Sequence, residues 1–129
     1  MKKLLIFAKY PKAGQVKSRL AQTIGEAKAT VAYKAMVEIV VKNTKPYNGE
    51  YAQVLCYDPP SFREKFQSWL PIRHLEPQSG GNLGERMQQA FVQTLAETEQ
   101  AVLIGTDCID VDRSLILKAF QNLEEADLV

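Results

Sequence analysis

The sequence predicts a three-layer α/β/α domain built on a mostly parallel sheet. Three observations point there. Short, continuous apolar runs such as Leu4–Ala8 and Ala101–Gly105 suit strands buried on both faces. Longer amphipathic stretches alternate with them, as crossover helices do between parallel strands. The loops that follow the strands carry the glycines and most of the clustered charge, which is where open parallel sheets bind ligands.

The elements follow in order. Leu4–Ala8 is the first strand. Lys9-Tyr10-Pro11-Lys12-Ala13-Gly14-Gln15-Val16 is a loop punctuated by proline and glycine. From Val16 the pattern turns helical, and Ala27–Lys42 is a long amphipathic stretch with Ala27, Val31, Ala35 and Ile39 on its expected apolar face. Pro46 and Asn48-Gly49 end it. Tyr51–Tyr57 reads as the second strand. Asp58-Pro59-Pro60-Ser61 turns into a short helix around Phe62–Trp69, and Ile72–Leu75 is a weaker third strand. Leu83–Glu97 is helical, with Leu83, Met87, Ala90, Phe91 and Leu95 on one face. Ala101–Gly105 is the fourth strand, Asp112 caps a helix running to about Leu123, and Ala126–Val129 opens a fifth strand. There is no internal repeat or low-complexity tract, so residues 1–129 read as one domain portion.

Composition narrows the function. The chain has 16 basic and 15 acidic residues and a formal charge of +1, which gives no general pull toward nucleic acid or membrane. No apolar run approaches the ~18 residues of a membrane span. Cys56 and Cys108 make no disulfide framework. The apolar start is too short for a signal peptide and is interrupted by Lys9. A reduced, cytoplasmic protein is expected.

Two loops carry chemistry. The first holds Lys9, Lys12, Gly14, Lys17 and Arg19. Gly14 admits close backbone approach, the next helix aims its first amides at a ligand, and a guanidinium grips phosphate oxygens. Together these suit a pyrophosphate cradle; the alternative is a basic surface loop at a helix start. It is not a P-loop, because Gln15 and Val16 separate Gly14 from Lys17 and Lys9 stands five places before Gly14. The second is Gly105-Thr106-Asp107-Cys108-Ile109-Asp110-Val111-Asp112. Its carboxylates suit Mg²⁺ or Mn²⁺, with Asp107 nearest the strand end and Asp110 as a companion ligand. Helix capping by Asp112 and a dipole contact from Asp110 are the competing reading. If strands two and three lie on one side of strand one and strand four on the other, both loops flank one crevice. A third segment, Gly80-Gly81-Asn82-Leu83-Gly84-Glu85-Arg86-Met87, offers Gly84 for close approach and Arg86 for a nucleotide, or else an Asn82-capped helix start. His74 reads as a surface or paired histidine, Cys108 lacks a local histidine partner, and Cys56 reads as packing. No residue is a convincing acceptor base.

These motifs carry a resemblance. Phe7-Ala8-Lys9-Tyr10-Pro11-Lys12-Ala13-Gly14-Gln15-Val16-Lys17-Ser18-Arg19-Leu20, Gly81-Asn82-Leu83-Gly84-Glu85-Arg86-Met87 and Ile104-Gly105-Thr106-Asp107-Cys108-Ile109-Asp110 resemble, in order, three signatures of a bacterial glycosyltransferase-A-like family. Its members are transferases associated with radical-SAM and selenium-domain proteins, some labelled arsenosugar-biosynthesis glycosyltransferases. The family is similar in fold to nucleotide-sugar transferases and to molybdenum-cofactor and phospholactate nucleotidyltransferases. The resemblance implies a nucleotide sugar or nucleoside triphosphate held by Lys9, Gly14, Lys17 and Arg19, and a divalent metal on Asp107. Two departures stand out. Ile109 replaces the family's usual proline, and the family pattern continues past Val129 into a Gly-Pro and Asp-Gly-Gly-Tyr segment. The chain therefore reads as the N-terminal, nucleotide-binding portion of such a domain, with catalysis by this portion alone in question. The open sheet edge offers a route to homo-oligomers or to a partner chain.

Overall fold

The computed structural model describes residues 1–12, 22–107 and 109–126. Strand β1 spans Lys2–Lys9, and helix α1 spans Glu26–Asn43. Strand β2 spans Ala52–Asp58 and leads through a 3₁₀ turn at Pro60–Phe62 into helix α2, Arg63–Trp69. Strand β3 spans His74–Pro77, helix α3 Leu83–Leu95, strand β4 Gln100–Ile104 and helix α4 Arg113–Glu125. The expected strand at Ala126–Val129 falls almost wholly outside the described residues.

The four strands form one parallel sheet in the order β3-β2-β1-β4. In register, Ile6 of β1 stands between Leu55 of β2 and Ile104 of β4. Successive side chains of β1 point to opposite faces, and both faces are covered. Leu4, Ile6 and Ala8 join a core with Tyr33, Val37, Val40, Phe66, Ile116 and Phe120. Leu5 and Phe7 join a smaller cluster with Val54 and Cys56, against which Met87, Ala90 and Leu103 pack. That division explains the uninterrupted apolar run at Leu4–Ala8.

Topology explains which helix goes where. From β1 to β2 to β3 the chain steps in one direction, and right-handed crossovers put α1 and α2 on one face. From β3 to β4 it steps back across β1 and β2, so α3 lands on the opposite face. Alone on that face among the described helices, α3 contains no buried residue, and Leu83, Val92 and Leu95 are exposed.

The apolar face of α1 differs from the expected one. Its buried residues are Ala29, Tyr33, Val37, Val40 and Val41, whereas Val31 is 69% and Ile39 39% exposed. Alanines at 27, 29, 32 and 35 leave the period ambiguous, and the bulky Tyr33, Val37 and Val40 decide it. Strand β3 starts two residues later than expected, at His74. Helix α4 matches its expectation: the Asp112 carboxylate accepts from the backbone N–H of Leu115 at 2.9 Å.

Candidate functional site

The strand order reverses between β1 and β4, because β2 and β3 lie to one side of β1 and β4 to the other. The C-terminal ends of these neighbouring parallel strands form the crevice that open α/β sheets use for ligands. Lys9 ends β1 there with an exposed side chain, and its backbone N–H donates to the Tyr33 hydroxyl at 2.8 Å. Tyr33, a core residue of α1, thereby fixes the chain where it leaves the strand. Gly14, Lys17 and Arg19 lie outside the described residues.

Tyr10 starts the basic loop and is well anchored. Its N–H donates to the Asp58 carbonyl at 2.9 Å, which extends the β1–β2 ladder by one step. Its ring meets Phe62, Phe66 and Trp69 edge-on, with centroids 5.2, 5.4 and 6.0 Å away. The three aromatics sit at spacings of four and three residues, one face of the 3₁₀ turn and α2. The Lys65 ammonium lies 4.2 Å from the Phe62 centroid and 5.6 Å from that of Tyr10. The short second helix thus grips the root of the basic loop.

Across the crevice, β4 ends at Ile104 and Thr106 is buried. Asp107 follows with an exposed side chain. The loop then leaves the strand end. The Asn43 amide, at the end of α1, donates to the Ile109 carbonyl at 3.5 Å. Arg113 binds Glu50, ahead of β2, through its Nε at 2.9 Å. Asp112 serves as the helix cap, and Asp110 is exposed between these two anchor points. Among the described residues no three His, Cys, Asp or Glu side chains gather as a metal cluster.

Glu50 pins this lower end. Its carboxylate accepts from Arg113 and from the N–H groups of Tyr47 and Asn48, while the guanidinium stacks 4.6 Å from the Tyr47 centroid. The Arg113 hydrogen bond holds the Glu50 carboxyl down at about 2, against a burial effect that pushes it up.

The glycine segment begins at the other side of β1. Gly81 has φ +98°, and a Cβ there would stand 3.0 Å from the Glu85 side chain. Asn82 caps α3: its carboxamide oxygen accepts from the Glu85 N–H at 2.9 Å, and Glu85 returns a bond from the Asn82 N–H at 3.3 Å. Glu85 is therefore engaged in the cap. Gly84 lies in the first turn of α3, where an added Cβ would meet only the Asn82 side chain at 3.4 Å. Arg86 is held by the protein itself. Its Nε donates to the Gly81 carbonyl at 2.9 Å, its Nη1 to the Gln78 side-chain oxygen at 3.1 Å, and Asp58 lies 3.4 Å away.

Sequence reasoning missed Asp58, Gln78, Tyr10 and Tyr33. Asp58 carried a legible signal, since it directly follows the expected second strand, Tyr51–Tyr57; Gln78 did not, because β3 runs on to Pro77, past the Leu75 at which it was expected to end. A cavity of about 660 Å³ lies below Gln78 and Arg86, on the sheet face floored by Leu5, Phe7, Val54 and Cys56. It runs back to Lys3 and Glu97, away from the β1–β4 strand ends. Burial pushes the Cys56 thiol up to about 12, so that floor is apolar in character and offers no thiolate nucleophile. No described helix is long and apolar enough to cross a membrane.

This architecture defines a nucleotide-diphospho-sugar-transferase-like α/β fold. A crystal structure from Desulfovibrio desulfuricans G20, described as a "putative nucleotide-diphospho-sugar transferase", matches it with a TM-score of 0.86 and 32% sequence identity. The match covers 95% of this chain and 54% of that one, so the chain spans about half the length of this neighbour. Residues 43–129 match the bacterial family described as an uncharacterized protein conserved in bacteria (DUF2064), and the chain belongs to that family. No functionally curated protein matches the sequence.

Proposed function

We propose that this chain binds the nucleotide of an activated donor for a glycosyl or nucleotidyl transferase. One observation carries the reading: the basic loop rooted at Lys9 and the acidic loop beginning at Asp107 leave adjacent parallel strands at the sheet's switch point. The structural neighbour, described as a "putative nucleotide-diphospho-sugar transferase", supports the same substrate class. Lys9, Gly14, Lys17 and Arg19 would hold the diphosphate, and Gly84 and Arg86 belong to the segment that bounds the nucleotide on the β2 side. The resemblance of the three sequence signatures supports a transferase of the kind associated with radical-SAM and selenium-domain proteins, acting in a reducing cytoplasm.

A divalent cation fits the donor set. Asp107 is a hard oxygen donor at the strand end, and Mg²⁺ or Mn²⁺ commonly takes one or two carboxylates plus substrate phosphates. Asp110 is the second carboxylate proposed. When bound, such an ion neutralises charge that develops on the leaving phosphate. The chain's own residues would bind and orient, with cationic side chains offsetting the remaining phosphate charge. The test is nucleotide affinity in Lys17→Ala and Asp107→Ala. Both should weaken binding; unchanged affinity in both would remove the site assignment.

A second reading is nucleotide binding without turnover, with β4 paired to a partner chain or a second copy. It is favoured by β4 itself, which among the described residues pairs only with β1 and has all five residues half-buried. An unpaired strand edge is a template for another strand. Size-exclusion chromatography checks it, since a clean monomer at high concentration contradicts obligate pairing.

A further inference from the structure

We propose that Gln78 and Arg86 are positioning residues that lock the glycine segment 79–82 onto the ends of β1 and β2 before any ligand arrives. This inference rests on the nucleotide-binding reading above for its functional consequence, but its structural content stands separately. Gln78 follows β3 directly, and its N–H donates to the Tyr57 carbonyl at 2.8 Å, continuing the ladder onto β2. Its side-chain amide then crosses two strands. The NH₂ group donates to the Cys56 carbonyl of β2 at 2.9 Å and to the Ala8 carbonyl of β1 at 3.4 Å. A carboxamide has two N–H donors, and both are directed at strand carbonyls. Its oxygen consequently faces the other way, where it accepts from Arg86 Nη1 at 3.1 Å.

Arg86 completes the lock. The planar guanidinium reaches the Gly81 carbonyl through Nε and Gln78 through Nη1, and the Asp58 carboxylate at the end of β2 balances its charge. The segment is therefore tied at its start by Gln78, in its middle through the Gly81 carbonyl, and at its end by the Asn82–Glu85 capping box. Gly81 supplies the positive φ that the turn requires. A lysine could keep the charge near Asp58, but one ammonium nitrogen cannot reproduce the fork's two fixed directions. Arg86 thus acts on bound nucleotide through the loop rather than by donating its charge to phosphate.

The test compares wild type with Gln78→Leu, Arg86→Lys and the double variant. Hydrogen exchange of segment 79–82 is measured without ligand, and affinity for a panel of nucleoside diphosphates and nucleotide sugars is measured with Mn²⁺. Each single variant should speed exchange in 79–82 while the melting temperature stays within a few degrees of wild type. If the unlocked segment is competent about one-tenth of the time, affinity falls about tenfold. The double variant should lose no more than the worse single one, because the two residues act as a unit. Retained affinity in Arg86→Lys, additive losses in the double variant, or unchanged exchange in 79–82 would each overturn the lock. If wild type itself binds no nucleotide, the proposed function fails, and the exchange rates alone decide the lock.

Discussion

Removing the Phe66 ring tests whether the short second helix anchors the root of the basic loop. Phe66 is fully buried, and its ring stands 5.4 Å from Tyr10, 5.4 Å from Tyr57 and 5.9 Å from Trp69. A buried Phe→Ala change costs about 3–5 kcal/mol from lost transfer energy and the residual cavity. Aromatic pairs add ~0.5–1.5 kcal/mol beyond area burial, which favours the upper half of that range. For a domain of this size each kcal/mol lowers the melting temperature by roughly 3–5 °C, so Phe66→Ala should melt ~12–25 °C below wild type. Circular dichroism melts and urea titration read the loss. Phe62→Ala is the control: its ring is only half-buried, with Lys65 lying over it, so about 1–2 kcal/mol is expected. A Phe66→Ala loss no larger than that of Phe62→Ala would refute the reasoning, because the two rings would then be equivalent.

Three further outcomes follow from the structure. Asp112→Ala should cost about 1 kcal/mol by removing the α4 cap, read as a lower urea midpoint at constant slope. The Glu50 carboxyl is held at about 2, below its ordinary 4.5, mainly by the Arg113 hydrogen bond. A depressed carboxyl contributes stability above its unfolded value and loses it as pH falls toward the folded one. The melting-temperature gap between wild type and Glu50→Gln should therefore be full above pH ~5 and close as pH approaches 2; a gap that widens on acidification contradicts the pairing. In a Cys108→Ser background, Cys56 should resist a thiol-specific disulfide reagent at pH 8 until the protein is unfolded, since burial raises its thiol to about 12. Prompt labelling of the native protein would show the sheet face to be open.

The strand and helix order was legible because a strand buried on both faces is written as an unbroken apolar run, as Leu4–Ala8 is; the run at 101–105 marked a strand as well, but β4 is only half-buried where it ends the described sheet. The switch between β1 and β4 could be stated only as a condition, since nothing local to either strand records which strand lies beside it. The structure supplies that order. The α1 face was misread because alanines fit two helical stripes equally well, and only packing against β1 and β2 selects Tyr33, Val37 and Val40. At the site, Asp112 and Asn82 were readable as caps because capping is a contact over three residues. Gln78 was not, because its partners Cys56 and Ala8 are 22 and 70 residues away and meet it only through the sheet register.

The central claim is nucleotide binding at the β1–β4 switch. A thermal-shift screen with nucleoside di- and triphosphates and nucleotide sugars, each with and without Mn²⁺, tests it most directly. A ligand at about 100 times its dissociation constant adds ~2.7 kcal/mol of stability, an upward shift of roughly 10 °C for this chain. The account predicts a Mn²⁺-dependent shift confined to one nucleotide base and reduced in Lys17→Ala and Asp107→Ala. A protein that melts cooperatively yet shifts with none of these ligands would contradict it.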